Sequence, residues 1–265
     1  MDRIKKLSNG QKMPGFGFGT WNLLGSEGIE AVSEALRVGY RLIDTAKIYG
    51  NEAEVGEAIK NSPVSREEIF VTTKLWPNDF GYNNALRAFD ESLDRLGLEY
   101  IDLYLIHWPR DDKHKSKESW RALQELAKQG LAKSIGVSNY NIEQLKEAIS
   151  SGTPPAVNQI EFHPYIYEEQ KPILEFCKEH SIVVEAYSPL SQGHALDSIT
   201  VRDIAERAGK SPAQVVLRWA IQHGTVPIPK SAHSERIKEN IKVFDFELSN
   251  DDIEMLNDLS RSGAY

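Results

Sequence analysis

Residues 69–106, IFVTTKLWPNDFGYNNALRAFDESLDRLGLEYIDLYLI, decide the fold of this chain. The stretch begins with an apolar, β-branched run at residues 69–73 and ends with a second apolar run at residues 101–106. Between the two runs, apolar residues recur at helical spacing, at Leu86, Phe89, Leu93 and Leu96. The pattern predicts a strand, a helix and a second strand. The near-continuous apolar character of both strands indicates a sheet that other elements cover.

The same alternation repeats along the rest of the chain. Predicted strands cover residues 16–18, 40–43, 69–73, 101–106, 135–137, 156–160, 182–187 and 225–228, with helical patterns between them. An eightfold alternation in a chain of 265 residues favours a closed barrel over an open sheet. Because the sequence contains no linker or charge block, we predict one domain over residues 1–265, a (β/α)8 TIM barrel of the α/β class.

Short local signals refine this barrel. The pair Asn9-Gly10 predicts an N-terminal β-hairpin, and additional C-terminal helices are predicted to begin at residues 234 and 249. The glycine-rich run at residues 15–19 predicts a strand that other parts of the chain approach closely. Asn51 is predicted to cap the helix that begins near residue 52.

The composition restricts the function. The formal net charge is −8 at pH 7, so a broad surface for nucleic acid or anionic membranes is not expected. The single cysteine, Cys177, excludes an internal disulfide framework and suits a reducing compartment. No apolar signal region follows the N-terminus, and no apolar run approaches the length of a membrane span. We therefore expect a cytoplasmic protein without nucleic-acid or membrane partners, and we predict that it is a monomer.

Four polar side chains follow three consecutive predicted strands. Asp44 and Tyr49 follow the second strand, Lys74 follows the third and His107 follows the fourth. Each has an ordinary structural explanation: a turn cap, a rim aromatic, a solvated strand end and a satisfied core histidine. In a barrel, however, catalytic groups come from the C-terminal ends of several strands. The four together therefore predict one active site.

These residue types suit proton delivery to a carbonyl group. A tyrosine with a reference pKa of ~10 is protonated at neutral pH, and a neighbouring ammonium makes it a better acid. A carboxylate keeps that ammonium charged, and a neutral imidazole can orient the substrate oxygen. The sequence contains neither a nucleophile paired with a base nor a His/Cys cluster with metal-ligand spacing, so no metal is predicted. Proton donation to oxygen requires hydride delivery to carbon, and hence a cofactor.

Two other functions are compatible with the same residues. One is a cofactor-sensing barrel subunit with little turnover. The other is an aldolase that forms a Schiff base on Lys74, although such an enzyme does not require Tyr49 and Asp44 beside it. Neither uses all four residues, so carbonyl reduction is the favoured interpretation.

The sequence resembles the aldo-keto reductases over nearly its whole length. The matching motifs are Gly19-Thr20-Trp21, Asp44-Thr45-Ala46, Tyr49-Gly50-Asn51-Glu52, Thr73-Lys74, His107-Trp108-Pro109, Gly136-Val137-Ser138-Asn139, Ala186-Tyr187-Ser188-Pro189-Leu190, Ile228-Pro229-Lys230-Ser231, Arg236, Glu239-Asn240 and Phe244-Asp245-Phe246. The short chain is similar to the prokaryotic branch that contains diketogluconate reductases and broad aldehyde reductases. The resemblance implies NADPH-dependent reduction of aldehydes and ketones, including small aromatic, aliphatic and dicarbonyl substrates.

The resemblance also implies a role for each site residue. Tyr49 would be the general acid, Asp44 and Lys74 its tuning pair, and His107 the residue that orients the substrate. The cofactor-binding residues would be Thr20, Trp21, Ser138, Asn139, Gln159, Tyr187, Ser188, Leu190, Lys230, Ser231, Arg236, Glu239 and Asn240. Within this set, Lys230, Ser231 and Arg236 would bind the adenosine 2′-phosphate, which suits charged and hydroxyl donors. The substrate-binding residues would be Trp21, Trp76, His107 and Trp108.

The sequence departs from the longer members of that family around the substrate pocket. Only residues 260–265 follow the last predicted helix, and the segments 77–83 and 191–198 are brief. A shallow pocket rimmed by Trp21, Trp76 and Trp108 is therefore expected, with broad substrate selectivity. His233 lies in the phosphate-binding segment, where it would either bind phosphate when protonated or face solvent.

Overall fold

The computed structural model describes residues 3–261. Residues 1–2 and the last four residues of the short C-terminal tail, 262–265, lie outside the described residues. Two strands come first, β1 (Ile4–Lys6) and β2 (Lys12–Pro14), and they pair antiparallel as the predicted hairpin. Eight strands follow, and they are β3 (Phe18–Gly19), β4 (Leu42–Asp44), β5 (Phe70–Leu75), β6 (Ile101–Ile106), β7 (Ala132–Ser138), β8 (Val157–Glu161), β9 (Val183–Tyr187) and β10 (Val226–Pro227).

The described residues form ten α-helices around these strands. They are α1 (Gly25–Val38), α2 (Glu52–Lys60), α3 (Tyr82–Leu96), α4 (Lys113–Lys128), α5 (Ile142–Ser150), α6 (Tyr167–Glu179), α7 (Ile199–Ala208), α8 (Pro212–Gln222), α9 (Ser234–Asn240) and α10 (Asn250–Asn257). The helices predicted to begin at residues 234 and 249 are confirmed as α9 and α10. Within the described residues, no helix is long and apolar enough to cross a membrane.

Strands β3 to β10 pair in chain order, each parallel to the next. The sheet closes on itself because the first segment also bonds to the last. The backbone N–H of Gly17 donates to Pro227 O at 3.0 Å, and that of Gly19 donates to Pro229 O at 3.1 Å. The predicted (β/α)8 barrel with its hairpin and extra C-terminal helices is confirmed.

The predicted close approach at the glycine-rich run is also confirmed. A Cβ on Gly19 would lie 2.8 Å from the backbone oxygen of Ile228, which is shorter than real Cβ contacts. A Cβ on Gly17 would lie 1.8 Å from Leu42 Cδ2. These two positions let β3 lie against both neighbouring segments, so the missing side chains are what allow the barrel to close.

The apolar core has two parts. A large outer cluster fills the space between strands and helices and includes Ile43, Tyr104 and Ala186. A smaller cluster fills the barrel interior with Leu42, Leu105 and other strand residues, and the hairpin closes its lower end with Leu7 and Met13. Because successive side chains of a strand face opposite ways, Asp44 points into the barrel like Leu42. The barrel interior is thus apolar towards the end that the hairpin covers and polar near the C-terminal ends of the strands.

One local prediction is wrong. Asn51 occupies the residue before α2, but its side chain does not cap the helix. Its Oδ1 instead accepts a hydrogen bond from Thr45 at 2.7 Å, and its Nδ2 donates to Thr20 O at 2.7 Å and Leu23 O at 2.9 Å. Asn51 is 1% exposed, so these buried loop carbonyls compete successfully for its amide group. Asn51 therefore ties the loops after β3 and β4 together.

Candidate active site

A buried ion pair lies at the centre of the site. Lys74 Nζ donates to Asp44 Oδ1 at 2.7 Å and to Thr45 O at 2.8 Å. Lys74 is 0% exposed and Asp44 is 2% exposed. Burial acts to lower the pKa of Lys74, but Asp44 and the Tyr49 phenol raise that pKa above its ordinary value. The ammonium therefore stays charged at neutral pH, as the pairing predicted. Burial raises the pKa of the Asp44 carboxyl, while Lys74 and Gln159 oppose that shift.

Tyr49 ends a short 3-10 turn, Lys47–Tyr49, which the left-handed Gly50 (φ 68°) terminates. The turn is anchored by Lys47, whose ammonium lies 2.9 Å from Asp79 and 3.1 Å from Glu91. In this position the Tyr49 hydroxyl lies 3.4 Å from Lys74 Nζ. The phenol is thus beside the ammonium, as predicted from their spacing at the strand ends.

The electrostatics of Tyr49 differ in one respect from the sequence-based expectation. Burial raises the pKa of Tyr49 above its ordinary value, and the positive charge of Lys74 only partly offsets this effect. Tyr49 therefore keeps its proton firmly at neutral pH. An alkoxide developing on a bound carbonyl is a far stronger base than a phenolate, so the proton can still pass to it.

His107 follows β6 and is 7% exposed. Its ring lies edge-on to Tyr49 with centroids 5.6 Å apart, and edge-on to Trp76 at 5.3 Å. Burial first, and then the charge of Lys74, lower the pKa of His107 to about 2. The imidazole is therefore neutral at physiological pH and can donate only one hydrogen bond. This agrees with the predicted role of orienting a substrate oxygen.

Thr20 braces this cluster from the next loop. Both its backbone N–H and its hydroxyl donate to the backbone oxygen of Asp44, at 3.0 and 2.9 Å. Thr20 is fully buried, so its hydroxyl is engaged inside the protein. Although the resemblance assigns Thr20 to the cofactor, in the structure its hydrogen bonds hold the backbone of Asp44.

Ser138, Asn139, Gln159 and Tyr187 lie together beside the ion pair. Gln159 Nε2 donates to Asp44 Oδ2 at 2.9 Å, and the Tyr187 hydroxyl donates to Asn139 Oδ1 at 3.0 Å. The Nδ2 of Asn139, which has φ 61°, donates to His107 O and to Ser138 Oγ. These bonds use the amide N–H donors of both residues. The acceptor oxygen of Gln159 remains for an outside donor such as a carboxamide NH2, and Asn139 Oδ1, which already accepts from Tyr187, keeps one lone pair for such a donor.

A loop with left-handed backbone follows β9. Ser188, Ser191 and Gln192 have φ angles of 47°, 49° and 52°, which non-glycine residues rarely adopt. Leu190 lies within this loop and is partly buried. Strain of this kind concentrates at ligand sites. The loop contains the residues that the resemblance assigns to the cofactor pyrophosphate.

Two unpaired cations flank Ser231 after β10. Lys230 and Arg236 are exposed, and within residues 3–261 neither forms an ion pair. By contrast, the nearby Lys238 pairs with Glu235 at 2.8 Å. Exposed unpaired cations on a chain of net charge −8 suit a bound anion. His233 is exposed and donates its backbone N–H to Ser231 Oγ at 3.0 Å.

The two remaining adenine-site candidates are on α9. Asn240 is buried, and the Glu239 carboxylate accepts a hydrogen bond from Ser211 at the start of α8. Glu239 therefore joins two helices.

The three rim tryptophans differ in environment. Trp76 is partly buried against His107. Trp21 is 58% exposed and Trp108 is 43% exposed. The structure therefore leaves two large apolar side chains, one next to Thr20 and one next to His107 in the chain, open to solvent.

Glu185 is the polar residue that the sequence analysis missed. It lies in the middle of β9, is 0% exposed and accepts a hydrogen bond from Gln159 Nε2 at 2.7 Å. The available signal was a carboxylate inside an otherwise apolar run, two residues before Tyr187 and therefore on the same face of the strand. Among the residues described, no group of three or more His, Cys, Asp or Glu side chains could hold a metal ion.

Known proteins resemble this chain over nearly its whole length. A family model described as the Aldo/keto reductase family matches residues 16–261. The chain is 50% identical over 258 residues to the glyoxal reductase of Bacillus subtilis (strain 168), covering 97% of this chain and 92% of that protein. It is 48% identical over 267 residues to the morphine 6-dehydrogenase of Pseudomonas putida, covering 96% and 90%. A solved structure of a Gox0644 variant in complex with NADPH has a TM-score of 0.93 and 40% identity, and covers 100% of this chain and 96% of that one.

Proposed function

The chain belongs to the aldo/keto reductase family, and we propose that Asp44, Tyr49, Lys74 and His107 perform its reaction. It is an oxidoreductase that uses NADPH to reduce aldehydes and ketones to alcohols. The observation that carries the assignment of residues is the line of contacts from Tyr49 through Lys74 to Asp44, with distances of 3.4 and 2.7 Å.

Tyr49 donates the proton that the carbonyl oxygen gains. NADPH, when bound, supplies the hydride for the carbonyl carbon. As negative charge develops on the oxygen, the Tyr49 hydroxyl transfers its proton to it. The adjacent Lys74 ammonium stabilises the resulting phenolate. Asp44 keeps Lys74 charged and in place, since an unpaired ammonium would be costly at this depth.

His107 orients the substrate. Because its imidazole is neutral, its single ring N–H can donate a hydrogen bond to the carbonyl oxygen without competing with Tyr49 for the proton. The ring is held at a fixed angle by its contacts with Tyr49 and Trp76. The oxygen is thereby held between two donors.

The remaining site residues hold the cofactor. Gln159 and Asn139 would offer acceptor oxygens to the nicotinamide carboxamide, Ser138 would support Asn139, and Tyr187 would pack against the nicotinamide ring. The left-handed loop with Ser188 and Leu190 takes the pyrophosphate. Lys230, Ser231 and Arg236 take the adenosine 2′-phosphate, and Glu239 and Asn240 border the adenine.

We assign small aldehydes, including 2-oxoaldehydes, as substrates. One relative of 50% identity is named for glyoxal, and another of 48% is named for morphine, a much larger molecule. An open rim with exposed Trp21 and Trp108 fits both sizes.

The environment of Lys74 argues against the Schiff-base alternative. A Schiff base requires a neutral, accessible amine. Lys74 is fully buried, bonded to Asp44 and Thr45, and has its pKa raised by Asp44. Such a lysine serves as a fixed positive charge.

We also propose that the chain acts as a one-domain monomer in the cytoplasm. Within residues 3–261, closure of the barrel by Gly17 and Gly19 leaves no strand edge of the main sheet for a partner. The single cysteine, Cys177, is buried, as suits a reducing compartment.

The Tyr49→Phe variant tests the proposed reaction. We expect turnover of methylglyoxal to fall by about 10²–10⁴-fold, because the lost hydroxyl acts in the transition state. The dissociation constant of NADPH, measured by the quenching of tryptophan fluorescence, should stay within severalfold of the wild-type value. Turnover within tenfold of the wild type would remove Tyr49 from the role of general acid.

A further inference from the structure

Glu185 occupies an unusual position in the barrel. Its strand neighbours Val184 and Ala186 belong to the outer apolar cluster, whereas Glu185 faces inward near the polar end of the interior. Its Oε2 accepts from Gln159 Nε2 at 2.7 Å. Within the described residues, its Oε1 has no hydrogen-bond partner. A fully buried carboxyl group with a single donor is expensive to keep ionised.

The amide of Gln159 links Glu185 to the catalytic cluster. The same Nε2 donates to Asp44 Oδ2 at 2.9 Å, so each of its two hydrogens serves one carboxyl group. Asp44 in turn accepts from Lys74, which contacts the Tyr49 hydroxyl. A continuous path of contacts therefore runs from Glu185 to the proposed proton donor. The two hydrogen bonds from Gln159 Nε2 also fix the orientation of its amide, with the amide oxygen directed away from both carboxyl groups.

The charges facing Glu185 come from three other elements. Asp44 on β4 and Lys74 on β5 act on it directly, and its charge is felt by Tyr49 on the 3-10 turn. Burial first, and then the negative charge of Asp44, raise the pKa of Glu185 to about 8, against the opposing effects of Gln159 and Lys74. Glu185 is thus protonated and uncharged at neutral pH. The negative charge of Asp44 is then balanced by the positive charge of Lys74.

We propose that Glu185 is a positioning residue of the reduction, which fixes the Gln159 amide against Asp44 and sets by its charge how readily Tyr49 releases its proton. The proposal rests on the assigned role of Tyr49. While Glu185 is neutral, only the Asp44–Lys74 pair acts on the phenol. Once Glu185 ionises, an additional negative charge in the barrel holds the proton on Tyr49 more tightly, as it does on Lys74.

The test is the pH profile of kcat/KM for aldehyde reduction in the wild type and in Glu185→Gln, a change that keeps the shape of the side chain. Reduction fails at alkaline pH when Tyr49 loses its proton. Because the variant lacks the negative charge, its alkaline limb should lie about one pH unit lower. The wild type should also show a shallow step near pH 8, where Glu185 ionises, and the variant should not.

Glu161→Gln is the matched control. It removes a carboxylate from the adjacent strand β8, but that side chain is 36% exposed and screened by solvent. Its alkaline limb should coincide with that of the wild type. If Glu185 had only a structural role, Glu185→Gln would change kcat or KM and leave the alkaline limb in place, which would overturn the proposal.

If Glu185→Gln is inactive, stability measurements still test the premise that Glu185 is a buried, protonated acid. The folded pKa of Glu185 is raised above its ordinary value of 4.5, so its contribution to stability is present at low pH and lost as pH rises to about 8. The wild type should therefore lose stability relative to Glu185→Gln over that range, and parallel curves would contradict the buried acid. An active Tyr49→Phe would refute the proposed general acid. If Tyr49→Phe is inactive but Glu185→Gln leaves the alkaline limb of the pH profile in place, only the proposed role of Glu185 would be refuted.

Discussion

At the scale of single residues, the structure keeps each group of the proposed site in one protonation state. Lys74 stays charged because Asp44 lies 2.7 Å away, and Tyr49 stays neutral because its partial burial raises its pKa. His107 stays neutral because it is buried beside a positive charge. These states follow from burial and from neighbours that come from other strands.

The neutrality of His107 has a measurable effect on stability. Its folded pKa is about 2, below the ordinary value of 6.5, so the unfolded chain takes up a proton that the folded chain does not. The resulting stability is fully present above pH 6.5 and is lost as pH falls. Between pH 7.5 and 5, the free energy of unfolding of the wild type should fall by about 2 kcal/mol more than that of His107→Gln. Urea titrations at both pH values measure this difference, and equal losses would mean that His107 is charged in the folded protein.

The sequence predicted the four catalytic-type residues but not their connections. Asp44, Tyr49, Lys74 and His107 are recognisable because each interrupts or directly follows an apolar strand. The bond from Gln159 to Asp44 joins residues 115 positions apart, so it depends on the register of strands that only the folded barrel sets. Asn51 was misassigned for a similar reason, since its partners Thr20 and Leu23 lie in another loop.

At the scale of elements, periodicity located the long strands well and the short ones poorly. β6 has the predicted bounds, and β5 runs to Leu75, so Lys74 lies within the strand. β3 and β10 have only two residues each, because they are defined by the bonds that close the barrel. The helix α7 was not predicted individually. Local patterns cannot specify elements whose limits depend on distant pairing.

Barrel closure can be tested with two glycine substitutions. Gly19→Ala should lower the free energy of unfolding by about 1–3 kcal/mol, because its Cβ would meet the backbone oxygen of Ile228 at 2.8 Å. Gly17→Ala should also destabilise, but through contact with the Leu42 side chain. Adding Leu42→Ala should reduce the loss of stability in Gly17→Ala but not in Gly19→Ala. Double-mutant cycles from urea unfolding should therefore show coupling between Leu42→Ala and Gly17→Ala, and none between Leu42→Ala and Gly19→Ala. Coupling of equal size at both positions would contradict the backbone contact.

The segment that includes α9 should determine the choice of cofactor. Replacing Arg236 with Gln should weaken NADPH binding by roughly tenfold to a hundredfold, since hydrogen bonds to charged groups contribute about 1.5–3 kcal/mol. NADH lacks the 2′-phosphate and should bind unchanged. Lys238→Gln on the same helix is the control, because Lys238 already pairs with Glu235 and should affect neither cofactor. Equal weakening of both cofactors by the Arg236 variant, in fluorescence titrations, would show that it acts through structure.

At the scale of the whole molecule, the barrel separates stability from function. Its lower end is filled by Leu7, Met13 and the apolar interior, while the polar groups collect at the opposite end. The chain as a whole carries a net charge of −8, whereas Lys230 and Arg236 place two exposed positive charges beside the proposed nucleotide site. This arrangement is predictable from the sequence, because an eightfold alternation places all C-terminal strand ends on one face.

The openness of that face leads to a prediction about substrates. Trp21 is 58% exposed and Trp108 is 43% exposed, so few side chains enclose the part of a substrate beyond its carbonyl group. Differences of a methylene or two in an apolar pocket yield only ~1–3 kcal/mol even when the pocket is closed. We therefore expect kcat/KM to vary modestly among aldehydes of similar intrinsic reactivity, with 2-oxoaldehydes and electron-poor aromatic aldehydes the best substrates. A screen that follows NADPH oxidation at fixed pH measures this range. A ~10⁴-fold preference for one aldehyde over close analogues would require enclosed polar groups that the wrong substrate leaves unpaired, and would show that the rim closes over the ligand.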